Sequence, residues 1–151
     1  MNFDLKTPCK DCPFLATRKF PLMRERVEQI VVDITVCDQS FSCHKTVKHD
    51  HDGEHVRSDT EQHCAGALIM LEHMDEPNQM MRIAERVGLY DRRKLNMDAP
   101  VFTSTDEMLA APHWLDTNGR RSHRTKPAPA PAAPVYGESK VVKGLRKTNS
   151  K

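Results

Sequence analysis

Aromatic residues make up only 5% of the 151-residue chain, with a single Trp and two Tyr, and the mean hydropathy is -0.65. A chain so poor in large apolar groups buries a small core, and small cores commonly need a metal or disulfides as reinforcement. No stretch approaches the roughly 20 apolar residues of a membrane-spanning helix. Residues 1–8 carry Asp4 and Lys6 and are followed by no apolar run of the length a signal peptide uses. We therefore expect a soluble cytoplasmic protein with no membrane partner. Also missing are a Gly-rich phosphate loop, a Ser-His-Asp arrangement and an HExxH helix, which removes the common enzyme signatures. Whether the chain is an enzyme is left open by the sequence.

What is present is cysteine, in five copies. An odd number in a reducing compartment argues against a disulfide framework and for metal binding or catalysis. Cys9 and Cys12 form a CxxC pair followed by Pro13, whose fixed φ favours a tight turn presenting both sulfurs to one side. Cys43 follows after 30 intervening residues and Cys64 after 20 more. These intervals let the chain fold back and collect four soft donors, Cys9, Cys12, Cys43 and Cys64, around one ion. Zinc is the first reading, a [4Fe-4S] cluster the second, since cluster ligands often come from separated loops, and no metal the third. The singletons Cys43 and Cys64 depart from the doubled CxxC of a zinc ribbon. A thiol redox pair would need a thioredoxin-like βαβ setting, which the pattern lacks.

Neighbouring groups add detail. His44 and His63 each adjoin a candidate ligand and are read as groups that hydrogen-bond a thiolate and tune it. Lys45 either neutralises the site, contacts a phosphate or is simply exposed. Cys37, at the end of the first helix, reads as a small buried hydrophobe. His49, His51 and His55, with Asp50, Asp52 and Glu54, would suit a second metal or acid-base work, the plainer alternative being a solvated polar loop.

For structure, apolar residues at Leu22, Met23, Val27, Ile30, Val31 and Ile34 repeat every 3.6 positions and predict a helix over residues 21–36 with Pro21 in its first turn. Residues 38–40 read as a turn and 41–43 as extended chain. Residues 49–60 are polar and aperiodic and predict a loop. The run from Ala65 to Leu71 predicts a buried helix ending near Met74. Asn78 would cap a helix over 79–87 that Gly88 ends, and Ser104 to Glu107 fits a capping box ahead of a short helix stopped by Pro112. The expected fold is thus a small α-rich domain, α+β at most, stabilised by metal and extended at the cysteines. It spans residues 1–119, with its core at about 8–90.

Residues 120–151 are expected to be a disordered tail with a Pro/Ala-rich linker over 126–134. From Arg120 onward nine Lys or Arg face Glu138 alone, a net +8, whereas the rest of the chain holds fourteen basic and twenty acidic residues, a net -6. Arg120, Arg121, Arg124, Lys140, Lys143, Arg146 and Lys147 are the candidate contacts to nucleic acid or an acidic protein surface, the equal alternative being a tail that only keeps the protein soluble. The oligomeric state is not legible.

Taken together, the segments Pro8-Cys9-Lys10-Asp11-Cys12-Pro13-Phe14, Phe41-Ser42-Cys43-His44-Lys45 and Cys64-Ala65-Gly66-Ala67-Leu68 resemble a family of small, functionally uncharacterised bacterial and bacteriophage proteins. Its pattern is PCxxCP(F/W), FxCHK and CAGxL in that order, over roughly residues 8–90, with Arg82 matching a following arginine. The resemblance implies that Cys9, Cys12, Cys43 and Cys64 are the shared set, without Cys37, and brings no activity. Residues 9–18 also look like the start of the cluster-binding segment of family 4 uracil-DNA glycosylases, whose further motifs for a flipped base this chain lacks. Three functional expectations stand side by side. They are a metal-held binding module, a metal or iron-sulfur enzyme or redox protein acting on a nucleotide or nucleobase, and a phage-encoded modulator of a host protein.

Overall fold

A computed structural model describes residues 1–18, 21–56, 58–112, 114–116 and 118–120. Four helices dominate: α1 (Arg24–Thr35), α2 (Ala65–His73), α3 (Gln79–Arg86) and α4 (Thr105–Ala110). Between the first two lies a hairpin of β1 (Lys48–His49) and β2 (His55–Val56), paired antiparallel. The α-rich architecture agrees with the sequence reading. The hairpin is a correction, because residues 49–60 were expected to form a loop. Its turn is closed by the Asp50 carboxylate, which accepts from the backbone N–H groups of Asp52 and Glu54, a local bond that hydrophobic periodicity does not reveal.

Helix α2 is the centre of the molecule. Every residue from Ala65 to Leu71 is buried, so the helix has no solvent face over two turns. A helix apolar all round is stable only inside a shell of other segments. That shell includes α1, which buries Val27, Ile30, Val31 and Ile34 at helical spacing. α1 begins at Arg24 rather than in the turn of Pro21, because Leu22 and Met23 are drawn into extended pairing with Leu115: Leu115 N–H donates to Leu22 O at 2.8 Å and Arg24 N–H to Leu115 O at 2.7 Å.

Helix ends follow the sequence chemistry closely. The Asn78 side chain accepts from Met81 N–H at 2.9 Å, and Gly88 lies at φ 77° just past the end of α3. The Asp38 carboxylate, in a turn residue at φ 53°, accepts from Gln79 N–H and so ties the exit of α1 to the start of α3. Ser104 Oγ accepts from Glu107 N–H at 3.2 Å, while Glu107 reaches back to the N–H of Thr103 rather than to that of Ser104. Cys37 is exposed, contrary to the expectation of burial. The chain leaves α1 through Val36, itself 74% exposed, and turns outward at Asp38.

Trp114 closes the far side of the core. It is fully buried, and its Nε1–H donates to Met108 O at 2.6 Å. The hydrogen bond satisfies the one polar atom of the side chain, and the ring fills the space between α4 and Phe102. Among the described residues no helix is long and apolar enough to cross a membrane. The candidate tail residues from Arg121 onward, with the Pro/Ala linker, lie outside the described residues.

Replacing Trp114 with Ala leaves a large cavity and is expected to destabilise the fold by about 3–5 kcal/mol. Ser104→Ala removes a helix cap and is expected to cost about 1 kcal/mol. Arg93→Ala, at a side chain 87% exposed, is expected to stay within about 0.5 kcal/mol of the parent. Urea unfolding followed by far-UV circular dichroism ranks the three.

Candidate functional site

Three short extended segments bring distant cysteines to one place. Residues 41–43 run antiparallel to 62–64: Cys43 N–H donates to Gln62 O and Cys64 N–H to Phe41 O, both at 2.8 Å, about a bridge between Ser42 and His63. The pairing sets Cys43 and Cys64 side by side although 20 residues separate them in sequence. Residues 1–3 add a parallel edge, with His63 N–H donating to Asn2 O. The CxxC segment arrives from the other direction as a tight turn closed by Cys12 N–H to Cys9 O at 3.0 Å, and Phe102 N–H to Phe14 O anchors it to the segment after α3.

The sulfurs then meet as neighbouring pairs. Cys12 Sγ lies 3.4 Å from Cys64 Sγ, with both residues buried. Cys43 is also buried, and Cys9, half-buried, lies close enough to interact with the Cys43 thiol. Within the Cys12–Cys64 pair either sulfur can donate, and the shared hydrogen bond together with burial pushes the Cys12 thiol far up. Cys64 is shifted the opposite way by the same shared bond and, against the effect of burial, by the Ala67 and Gly66 amides at the start of α2 that face its sulfur, though neither completes a capping bond. Burial raises the Cys43 thiol, against a hydrogen bond from the Lys45 backbone. The structure thus brings Cys12 and Cys64 into contact at the start of α2, with Cys9 and Cys43 near enough to act on each other. As they stand, no three Cys, His, Asp or Glu donors among the described residues form a group that would hold a metal ion.

The donor set is the softest a protein offers. Two sulfurs bound to one zinc at roughly 2.3 Å each in a tetrahedron stand about 3.8 Å apart, so the Cys12–Cys64 approach of 3.4 Å is a few tenths of an ångström shorter than ligation requires. Cys9, Cys12, Cys43 and Cys64 could hold a metal only if the sulfurs moved from the positions they take here.

The flanking groups divide. His44 is exposed on the Cys9 side, its ring nitrogens 3.9 and 4.0 Å from Cys9 Sγ. His63 faces the other way. It is 3% exposed and stacks on Phe3 with centroids 3.9 Å apart, and burial lowers its pKa to about 4. Lys45 forms an ion pair with Asp11 at 2.8 Å, fastening the Cys43 segment to the CxxC turn, and this contact holds the Asp11 carboxyl below its ordinary range. In the hairpin, His49 and His55 have ring centroids 6.5 Å apart, and His55 Nε2 lies 3.4 Å from the buried Glu61 carboxylate, which also accepts from Ser42 Oγ at 2.6 Å. Arg120 is exposed, in a turn where Asp116 Oδ1 accepts its backbone N–H; the other tail candidates, Arg121, Arg124, Lys140, Lys143, Arg146 and Lys147, lie outside the described residues.

Gly66 stands in the CAGxL motif but has no role in the sequence reading. A Cβ at this position would overlap Cys12 Sγ and come within 3.1 Å of Phe14 Cβ. The first turn of α2 therefore lies directly against the CxxC turn, at a distance only glycine allows. The signal was present as a Gly inside an otherwise apolar helical run. Arg18 was likewise missed. Burial lowers its pKa, and the charges of Cys12, Asp11 and Cys9 act on it in the opposite sense.

Gly66→Ala sets an intrinsic helix gain of about 1 kcal/mol against overpacking that costs about 1–3 kcal/mol. Because the new methyl would be wedged between a sulfur and a backbone-anchored Phe14, the overpacking is expected to prevail and to lower stability by up to about 2 kcal/mol. In a double-mutant cycle with Cys12→Ala that penalty is expected to shrink, since the overlapping atom is gone. Equal penalties in both backgrounds would place the clash elsewhere.

No curated protein and no solved structure matches the chain. One family model does, over residues 4–121, which take in all four helices, the hairpin and the cysteine cluster. The chain belongs to the family of unknown function DUF6283.

Proposed function

We propose that the protein is a small metal-binding accessory factor in which Cys9, Cys12, Cys43 and Cys64 hold one zinc ion or one [4Fe-4S] cluster, and whose basic C-terminal segment contacts nucleic acid or an acidic protein surface. The observation that carries this reading is the convergence of four cysteines from three separate segments, with Cys12 Sγ 3.4 Å from Cys64 Sγ. Burying several thiols side by side gains little as packing alone, whereas an ion sharing them would fasten the CxxC turn, the 41–43 segment and the start of α2 at a single point. A bound metal would supply that cross-link. The chain's own residues supply the rest: Lys45 and Asp11 tie two ligand segments together, and the amides opening α2 favour negative charge on Cys64.

A second reading, a metal-dependent enzyme or redox protein acting on a nucleotide or nucleobase, is favoured by one feature. Cys9 is the most accessible of the four sulfurs, and His44 stands beside it on an open side of the cluster. A structural site is closed, whereas a catalytic one keeps a position open.

Anaerobic purification with metal analysis and a visible spectrum tests the metal. The expected result is one centre per chain, either colourless with one zinc or brown and bleached by reduction. Cys43→Ser and Cys64→Ser are each expected to abolish it, while Cys37→Ser leaves it intact. Folded, metal-free protein from such a preparation would overturn the reading.

The basic segment is tested by salt. Converting Lys140, Lys143, Arg146 and Lys147 to Gln in the full chain removes four charges. If each neutralises a phosphate of a single strand, the slope of log Kobs against log salt is expected to fall by about 0.7 per charge, roughly 3 in all. An unchanged slope assigns nucleic-acid contact to another surface or to none.

A further inference from the structure

Beside the cysteine cluster lies a cavity of about 350 Å³ that neither the metal proposal nor the basic segment uses. Its walls come from three parts of the chain: the CxxC turn and the residues just after it, one face of α1, and the segment leading into Cys43. The floor is apolar. Pro13 and Ile30 are buried beneath it, and Phe41 presents part of a half-buried ring. That ring is held by an edge-on contact with Phe14, centroids 5.2 Å apart at 89°, so the aromatic wall is fixed before any ligand arrives.

The rim is cationic. Arg26 lies one helical turn before Ile30 on α1 and therefore stands above the apolar floor on the same helix face. Arg18, half-buried, lines the cavity from the opposite segment, and His44 completes the edge with a ring able to donate or accept. Among the described residues that line the cavity the one carboxylate, Asp11, is engaged by Lys45 at 2.8 Å, which offsets its repulsion of an anion. An aromatic wall over an apolar floor takes a planar ring, and two guanidinium forks take a phosphate in bidentate fashion. The volume is at the lower end of the roughly 300–1,000 Å³ of small-molecule sites, larger than a bare phosphate would fill.

We infer that this cavity binds an organic phosphate carrying a planar ring, of the size of a nucleoside monophosphate, with the ring against Phe41 and Pro13 and the phosphate on Arg18 and Arg26. The site goes beyond the metal proposal and stands whichever ion the cysteines hold. A free mononucleotide and the terminal nucleotide of a single strand present the same chemistry.

Calorimetric titration of the full-length protein, as purified, with the four nucleoside 5′-monophosphates is the test. Saturable binding of at least one is expected, weakened about tenfold or more by Arg26→Gln and by Arg18→Gln, as loss of a charge-assisted contact implies. The corresponding nucleoside, lacking the phosphate, is expected to bind at least about tenfold more weakly for the same reason. Arg26 is exposed on α1, so Arg26→Gln is expected to keep the parent's circular dichroism and metal content. Arg86→Gln, on α3 away from the cavity, is expected to bind as the parent does. A short 5′-phosphorylated single strand that competes with the mononucleotide, while its unphosphorylated form does not, would assign the source to strand ends; failure of both to compete would assign it to free nucleotide. No saturable binding of any monophosphate by folded parent protein, or binding indifferent to both Arg18→Gln and Arg26→Gln, overturns the inference. Because the metal proposal is read by metal content and this one by titration, either fails without the other.

Discussion

The backbone pairing between residues 41–43 and 62–64 is the constraint from which the rest of the molecule follows. It converts a long separation in sequence into adjacency, places Cys43 and Cys64 together, and delivers the chain directly into α2 with Cys64 as the residue that begins it. The N-terminal segment then has an edge to pair with, and the CxxC turn has a surface to close upon. Each step depends on the one before, because a bridge of so few residues is marginal in isolation. The pairing persists because α2 is buried behind it and the cysteines in front of it.

Gly66 and the Asp11–Lys45 ion pair act on the same junction from opposite sides. The glycine sets how near α2 comes to the CxxC turn, and the ion pair sets how the 41–43 segment lies across it. Surface ion pairs generally contribute little to stability, and Lys45 is half exposed. Its effect here is on register: it joins the two segments that together carry three of the four cysteines. The same arrangement forms the cavity, whose walls are the outer surfaces of those segments.

Much of this was legible in the sequence because it was local. The 3.6-residue period of α1, the cap at Asn78, the glycine after α3 and the Ser104 cap are decided within a few residues, and each appears close to where the pattern placed it. The non-local features were not. Residues 48–56 carry no strand period, since all four strand residues are exposed, and only the turn chemistry of Asp50 marks the hairpin. The start of α1 was displaced by a strand-like partner some 90 residues later in the chain, at Leu115. Cys37 was expected inside because free cysteines usually are, but the turn at Asp38 carries it out. His63 was expected beside a sulfur because it adjoins one, and the alternation of an extended segment sends it to the opposite face, onto Phe3. That the CxxC pair would lie near a later cysteine was expected from the sequence and is met by Cys12 and Cys64, whereas the cavity was not legible, because Arg18, Arg26 and Phe41 come to line one space only in three dimensions.

The enclosure of α2 has a consequence for how the chain can vary. A half-exposed helix absorbs change on its outer stripe, so tolerated and forbidden positions alternate with the turn. Over Ala65 to Leu71 there is no such stripe. A library of substitutions across these seven consecutive positions would meet one unbroken block of intolerance, graded by side-chain volume instead of by angle around the axis, with the smallest residue as its most restrictive point.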